Sequence, residues 1–198
     1  MHVAGYVLVG GCSSRMGHDK ARLRLPGHLL LVENVAAKVQ KIAGNVTLVG
    51  NPAAYRDLAM ECLPDLRSGK GPLAGIESAL AAQGAELNLI VACDMPDLKS
   101  EWLAQLLAAA EASDRQCVVA EDLVGCVHPL CAVYRSTCLP VVRAALADGH
   151  LRLMDLIDSL SVERVKFETV IRNVNTPEEW ESWCASQTEL SSAAARVS

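Results

Sequence analysis

Four short segments of the chain hold residue types that handle phosphate and divalent metal. The first is Gly10-Gly11-Cys12-Ser13-Ser14-Arg15-Met16-Gly17-His18-Asp19-Lys20. Gly10 and Gly11 let main-chain N–H groups come close to an anion. Arg15 and Lys20 add positive charge, Lys20 as a compact point charge. Four of the 18 basic residues crowd into residues 15–24: Arg15, Lys20, Arg22 and Arg24. A polyphosphate suits such a loop. It is not a Walker A loop, because no Gly-Lys-Ser/Thr closes it, and it is not GxGxxG. The plainer alternative is a glycine turn with solvated basic residues.

The second segment, Leu89-Ile90-Val91-Ala92-Cys93-Asp94-Met95-Pro96, puts a carboxylate directly after an apolar run. That is costly unless something compensates. Mg2+ is the usual compensation, held by one or two carboxylates, waters and substrate phosphates. A helix cap is the alternative role for Asp94, although Asp97 or Ser100 is better placed for one. The third segment runs from Asp65 to Gly75 through Gly69-Lys70-Gly71-Pro72. Gly71 and Gly75 at a helix entrance can bring main chain against a flat base or a phosphate; a simple helix start with glycines explains them as well. The fourth is Asn173-Val174-Asn175, whose asparagines share a face if the segment is extended. They suit a metal or a phosphate-bearing substrate, or merely precede the capping box of Thr176 and Glu179, with Pro177 at the first helical position.

Apolar runs alternate with helical spacing along the chain. Strands are expected at Val3–Val9, Val46–Val49, Met60–Leu63, Leu87–Ala92, Cys117–Ala120, Leu130–Tyr134, Val162–Phe167 and Val170–Asn173. Helices are expected over His28–Ala43, Pro72–Ala82, a segment with Leu103, Leu106, Leu107 and Ala110, Leu139–Ala147, Leu151–Leu160, and from Thr176 onward, with a short helix near Ala53–Leu58. Continuous apolar strands between helices specify a mainly parallel α/β sheet with helices on both faces. Ligands of such sheets sit at the strand carboxyl ends, where three of the four segments lie. One domain over 1–187 is expected, followed by a Ser/Ala-rich flexible tail, 188–198.

The 198 residues are 51% hydrophobic and 21% charged, which excludes a disordered chain. A net charge of −5 speaks against nucleic acid as partner. No apolar stretch reaches 18 residues, so no membrane association is expected. Val3–Val9 leads into Gly10-Gly11 and reads as a strand, not a signal peptide. Eight cysteines without a CxxC pair read as buried free thiols in a reducing cytoplasm.

The sequence resembles the molybdenum cofactor guanylyltransferase family, within the wider group of nucleotidyltransferases with a Rossmann-like fold. The match rests on Leu8-Val9-Gly10-Gly11 with Ser13, Arg15-Met16-Gly17, Asp19-Lys20, Gly71-Pro72-Leu73-Ala74-Gly75, Cys93-Asp94-Met95-Pro96, His128-Pro129 and Asn173-Val174-Asn175-Thr176-Pro177-Glu178. The resemblance implies an enzyme that transfers GMP from GTP to molybdopterin or its molybdenum-loaded form and releases pyrophosphate. Its nucleotide contacts would be Leu8, Val9, Gly10, Gly11, Lys20, Asn51, Asp65, Gly71, Gly75 and Asp94. Arg15, Lys20 and Asp94 would be catalytic, with Asp94 holding Mg2+, and Asn173 and Asn175 would serve the pterin acceptor. A monomer in the cytoplasm, with molybdoenzyme maturation proteins as partners, fits the same picture. Chemically such a transfer needs in-line positioning and charge neutralisation, and no general base, because the attacking phosphate oxygen is already ionised.

Two positions depart from the family pattern. Val9 stands where alanine is usual, and Gly149-His150-Leu151-Arg152 has one arginine where relatives often have two adjacent. Cytidylyltransferase relatives usually carry alanines before one glycine and glutamine after the strand-end aspartate, so Gly10-Gly11 and Met95 favour GTP over CTP. A molybdopterin cytidylyltransferase, or another nucleotidyltransferase of the fold, is the alternative enzyme. A GTP-binding protein without turnover is the alternative of another class, against which the intact Lys20 and Asp94 argue.

Overall fold

The structure is a computed structural model and describes residues 1–10, 19–82 and 84–195, with side chains through residue 187. Strands and helices alternate: β1 (Val3–Leu8), α1 (Leu31–Ala43), β2 (Thr47–Val49), β3 (Cys62–Leu63), α2 (Pro72–Ala81), β4 (Leu87–Ala92), α3 (Ser100–Ala112), β5 (Cys117–Glu121), β6 (Val127–Arg135), α4 (Leu139–Asp148), α5 (Leu153–Ser159), β7 (Val162–Lys166) and α6 (Pro177–Ala195). The strands form one seven-stranded sheet in the order β3-β2-β1-β4-β6-β5-β7. β6 runs antiparallel to both of its neighbours, and every other pairing is parallel.

The strand pattern explains the layers. Along β1, Val7 and the following Val9 enter one core while Tyr6 and Leu8 enter the other, so successive side chains feed opposite faces. The first core takes Leu31, Val32, Val35, Ala36 and Val39 from α1, with Trp102, Leu103 and Leu106 from α3. The second takes Leu73 and Ile76 from α2, Val142 and Leu146 from α4, and Leu156 and Ile157 from α5. Each fully buried Leu, Ile or Val contributes about 1.5–3 kcal/mol of transfer free energy. From β1 the sheet grows one way through β2 and β3 and the other way through β4, which makes the β1–β4 boundary a switch point where loops diverge.

Three local expectations change. α1 begins at Leu31, because Gly27 (φ 97°) and His28 (φ 73°) adopt left-handed conformations that a helix cannot include. Val170–Asn173 is not a strand. Ile171 N–H goes to the Asp122 carboxylate (3.4 Å) and the N–H of the following Val174 to the Asp94 carbonyl (2.9 Å), two different elements, so no ladder is built. Neither Asp97 nor Ser100 caps α3: the N-cap is Lys99, without a side-chain bond, and Asp97 accepts instead from the Trp183 indole at 2.8 Å. The Thr176–Glu179 capping box is present, with reciprocal bonds of 3.2 Å. Among the described residues no helix is long and apolar enough to cross a membrane.

Candidate active site

A cavity of about 610 Å³ opens at the carboxyl ends of β1, β2 and β4. Its walls come from Leu8, Val9 and Gly10 after β1, Gly50 and Asn51 after β2, Asp65, Gly71 and Gly75 around the start of α2, and Asp94 after β4, with Lys20 also on the wall. Most of the nucleotide contacts expected from the sequence are therefore on one surface. Gly11 and Arg15 lie outside the described residues.

Lys20 sits here because Asp19 starts a tight turn, Lys20–Arg22, by accepting from Ala21 N–H at 3.0 Å. The other Asp19 oxygen accepts from the Tyr55 hydroxyl at 2.8 Å, which anchors the turn to the connection after β2. Burial and that bond hold Tyr55 protonated far above its ordinary range. The Lys20 ammonium donates to Asn175 Oδ1 at 2.7 Å. Asn173 Nδ2 lies 3.3 Å from Asp94 Oδ1. Two segments separated by 155 residues in the chain thus meet at one point, with a cation, a carboxylate and two amides side by side.

Burial pushes the Asp94 carboxyl above its usual value, against the opposing pull of Lys20, its own backbone bond, Asn173 and His128. A carboxylate kept short of solvent gains from a cation. Asn173 Oδ1 is buried without a hydrogen-bond partner, an oxygen of the kind a hard cation takes. Among the described residues no cluster of three His, Cys, Asp or Glu side chains exists. A carboxylate with an amide oxygen beside it is a donor set that fits Mg2+, whose remaining ligands are water and phosphate.

Asp65 also lines the cavity, and partial burial raises its carboxyl. Its loop is held by α2: Leu66 N–H donates to Ser78 Oγ at 2.9 Å, and Arg67 Nε donates to Glu77 Oε2 at 2.9 Å. Pro72 opens α2, and Gly71 enters it at φ 65°, a conformation that favours glycine. Gly75 packs against Leu8, where a Cβ would lie 3.1 Å from Leu8 Cδ1.

The basic cluster expected over residues 15–24 does not act as one. Arg22 binds Asp57 at 2.6 Å and the Ala54 carbonyl, and Arg24 donates to the His28 carbonyl. Of the described basic residues in that stretch, Lys20 alone lines the cavity. Gly50 and Leu130 also line it and were not foreseen, and Asp19, which the Asp19-Lys20 motif included without a role, lines it as well. Gly50, directly before Asn51, is the one whose type carried a signal. Cys93, Cys117, Cys131 and Cys138 are buried free thiols, as expected, whereas Cys126 is exposed and Cys62 half-buried.

The sequence of residues 5–165 matches the model of the MobA-like NTP transferase domain. The chain belongs to this family. It is 37% identical over 185 residues to the molybdenum cofactor guanylyltransferase of Xanthomonas euvesicatoria pv. vesicatoria, covering 89% of this chain and 91% of the relative. It is 30% identical over 190 residues to the protein of the same name from Desulfosudis oleivorans, covering 90% and 93%. The crystal structure of molybdopterin-guanine dinucleotide biosynthesis protein A from Archaeoglobus fulgidus superposes with a TM-score of 0.80 at 24% identity, over 94% of this chain and 99% of that one. That likeness bears out the Rossmann-like nucleotidyltransferase fold.

Proposed function

We propose that this nucleotidyltransferase moves GMP from GTP to molybdopterin or its molybdenum-loaded form, with release of pyrophosphate. The meeting of Lys20, Asp94, Asn173 and Asn175 beside the β1–β4 cavity carries this reading. In it, Leu8, Val9 and Gly10 present main chain to the nucleotide, and the walls at Asn51, Asp65, Gly71 and Gly75 enclose the sugar and base. Lys20 neutralises phosphate charge, and Arg15 adds to it. Asp94 and Asn173 would hold Mg2+, which when bound supplies a positive charge that stabilises the anionic transfer. Asn173 and Asn175 offer neutral polar groups to the anionic acceptor, so two anionic substrates meet without excess negative charge. No side chain is needed to remove a proton, since the attacking phosphate oxygen is ionised.

Base choice rests on Asp65 in this reading. Guanine offers N1–H and N2–H2 as a donor pair, which one carboxylate accepts. Adenine and cytosine offer no such pair, so either base would leave the carboxylate without its two donors. The test is incubation with Mg2+, molybdopterin and each nucleoside triphosphate in turn, followed by detection of pyrophosphate and dinucleotide. GTP is expected to be preferred. Equal turnover of CTP would move the protein to the cytidylyltransferase reading, and tight GTP binding with no dinucleotide would make it a binding protein.

A further inference from the structure

Asp122 lies just past β5 and outside the cavity wall, and the proposed chemistry does not use it. It is nevertheless 4% exposed and saturated with donors. One carboxylate oxygen accepts from Val124 N–H (3.1 Å) and Cys126 N–H (2.8 Å), which shapes the β5–β6 turn. The other accepts from Ile171 N–H (3.4 Å) and faces His128 Nε2 at 3.3 Å. A buried carboxylate serving a turn, an imidazole and a remote main-chain segment is costly to keep unless each partner must be held.

Each of those partners leads to the site. Ile171 opens the segment that carries Asn173 and Asn175. Three residues on, Val174 N–H binds the Asp94 carbonyl, so the segment is pinned at one end by Asp122 and near the other by the residue that its side chains adjoin. His128 lies at the start of β6, where the pairing with β5 slips: Val119 faces Ala132, yet Ala120 faces His128. Such bulges re-aim side chains beside active sites. Leu130, inside the bulge, lines the cavity.

We propose that Asp122 is a positioning residue for the transfer reaction, which holds the His128 ring and the 171–175 main chain together and so sets Asn173 against Asp94. The inference rests on the guanylyltransferase reading. It assigns Asp122 to the acceptor and metal side of the site, because Leu8, Asn51, Asp65 and Gly71 belong to elements that Asp122 does not touch. It also assigns a proton to His128 Nε2, the nitrogen that faces the Asp122 carboxylate.

Asp122→Asn tests this in the full-length protein. The amide keeps an acceptor for the turn but replaces the second oxygen with a donor, which the Ile171 and His128 N–H groups cannot use. Expected results are a fall in kcat of roughly ten- to a hundredfold, the range for partners that orient a reacting shell, a raised KM for molybdopterin, and GTP affinity within about twofold of wild type. Nitrogen NMR of the imidazole is expected to show His128 switching its proton to Nδ1. In an Asn173→Ala background the substitution should cost little further, since it acts through that residue. Wild-type kcat, an unchanged tautomer or full additivity with Asn173→Ala each overturns the inference. Where Asp122→Asn does not fold, His128→Gln leaves the carboxylate its three N–H donors. It should lower kcat with GTP affinity kept, and an unchanged kcat overturns the inference. A wild-type chain that makes no dinucleotide from GTP and molybdopterin defeats the proposed function instead, a separate outcome.

Discussion

Replacing Gly50 by alanine probes the cavity through its main chain. Gly50 follows β2, and its N–H donates to the Leu63 carbonyl at 2.8 Å. Its φ is outside the left-handed region, so alanine suits the backbone there and any cost is steric. A Cβ at this position would lie 2.2 Å from the Val9 carbonyl oxygen, 3.0 Å from Val9 Cγ2 and 3.1 Å from the Val9 carbonyl carbon. A carbon–oxygen contact needs about 3.3 Å. β1 and β2 must therefore part by roughly 1 Å at the point where both line the cavity. The obstacle is main chain, which no rotamer change removes, so the cost falls near the top of the range for overpacking, about 3 kcal/mol. For a domain of this size that lowers Tm by about 6–12 °C.

The same shift moves Val9, Gly10 and Asn51 together, all on the cavity wall. A 1 Å misplacement costs on the order of a hundredfold in rate. GTP titration by calorimetry, thermal melting and pyrophosphate release should be measured on one preparation. Gly44→Ala is the control: Gly44 ends α1 at φ 78° with nothing within 4 Å of a Cβ. It should cost about 1–2 kcal/mol of backbone strain and leave GTP affinity untouched. Gly50→Ala with Tm within about 2 °C of wild type and normal GTP affinity would refute the reasoning, because β1 and β2 would then have absorbed the clash without moving the site.

Four further outcomes are expected. Lys20→Met keeps the aliphatic stem and removes a charge-assisted contact of about 1.5–3 kcal/mol, so GTP affinity should fall roughly ten- to 150-fold; unchanged affinity would mean the lysine serves only Asn175. Asp94→Asn should abolish transfer while circular dichroism stays that of wild type, and a variant keeping most of its rate sinks the metal assignment. Asn175→Asp should spare the Tm, since aspartate tolerates such turn positions, yet slow transfer by placing a carboxylate against Lys20 and beside an anionic acceptor; equal transfer rates would remove Asn175 from the acceptor side. For Asp122, burial raises the carboxyl, but the N–H groups of Cys126, Ile171 and Val124 and the His128 ring outweigh it, and the group is held below its usual range. A depressed folded pKa stabilises above the unfolded value of about 3.9 and loses that stabilisation as pH falls through the folded value. Tm should therefore drop more steeply below about pH 4 in wild type than in Asp122→Asn; parallel acid limbs would show that Asp122 gains nothing from its donors.

Much of this arrangement was legible in residue types. The apolar run before Asp94, the proline at the start of α2 and the Thr176–Glu179 capping box each act locally, and each formed where its residues predict. Gly10, Asn51, Asp65, Gly71, Gly75 and Asp94 fall at strand ends or helix starts, and a switch point collects such loops onto one wall. What could not be read was pairing across the chain. Arg22 and Lys20 look alike in sequence, yet Arg22 meets Asp57, 35 residues on, and is consumed there. Val170 and Ile171 are β-branched and suit a strand, but the N–H groups of Ile171 and Val174 are taken singly by Asp122 and Asp94, and only tertiary context supplies those acceptors.

The two ends of the cavity are supported independently, and this bears on how base choice can vary within one fold. The Asp65 loop hangs on α2, through Ser78 and through Glu77, a carboxylate 2% exposed that also accepts from Arg143 of α4 at 3.3 Å. The Lys20–Asp94–Asn173 cluster hangs on β4, the turn after Asp19 and the segment tied to Asp122. Among the described residues no hydrogen bond joins the Asp65 loop to that cluster. In the proposed reading, substitutions around residues 65–71 would alter what the base wall accepts without moving the groups assigned to phosphate. On that reading the phosphate chemistry would sit where β1 and β4 fix it, while the wall proposed for the base is a loop held by two side chains of one helix, Glu77 and Ser78.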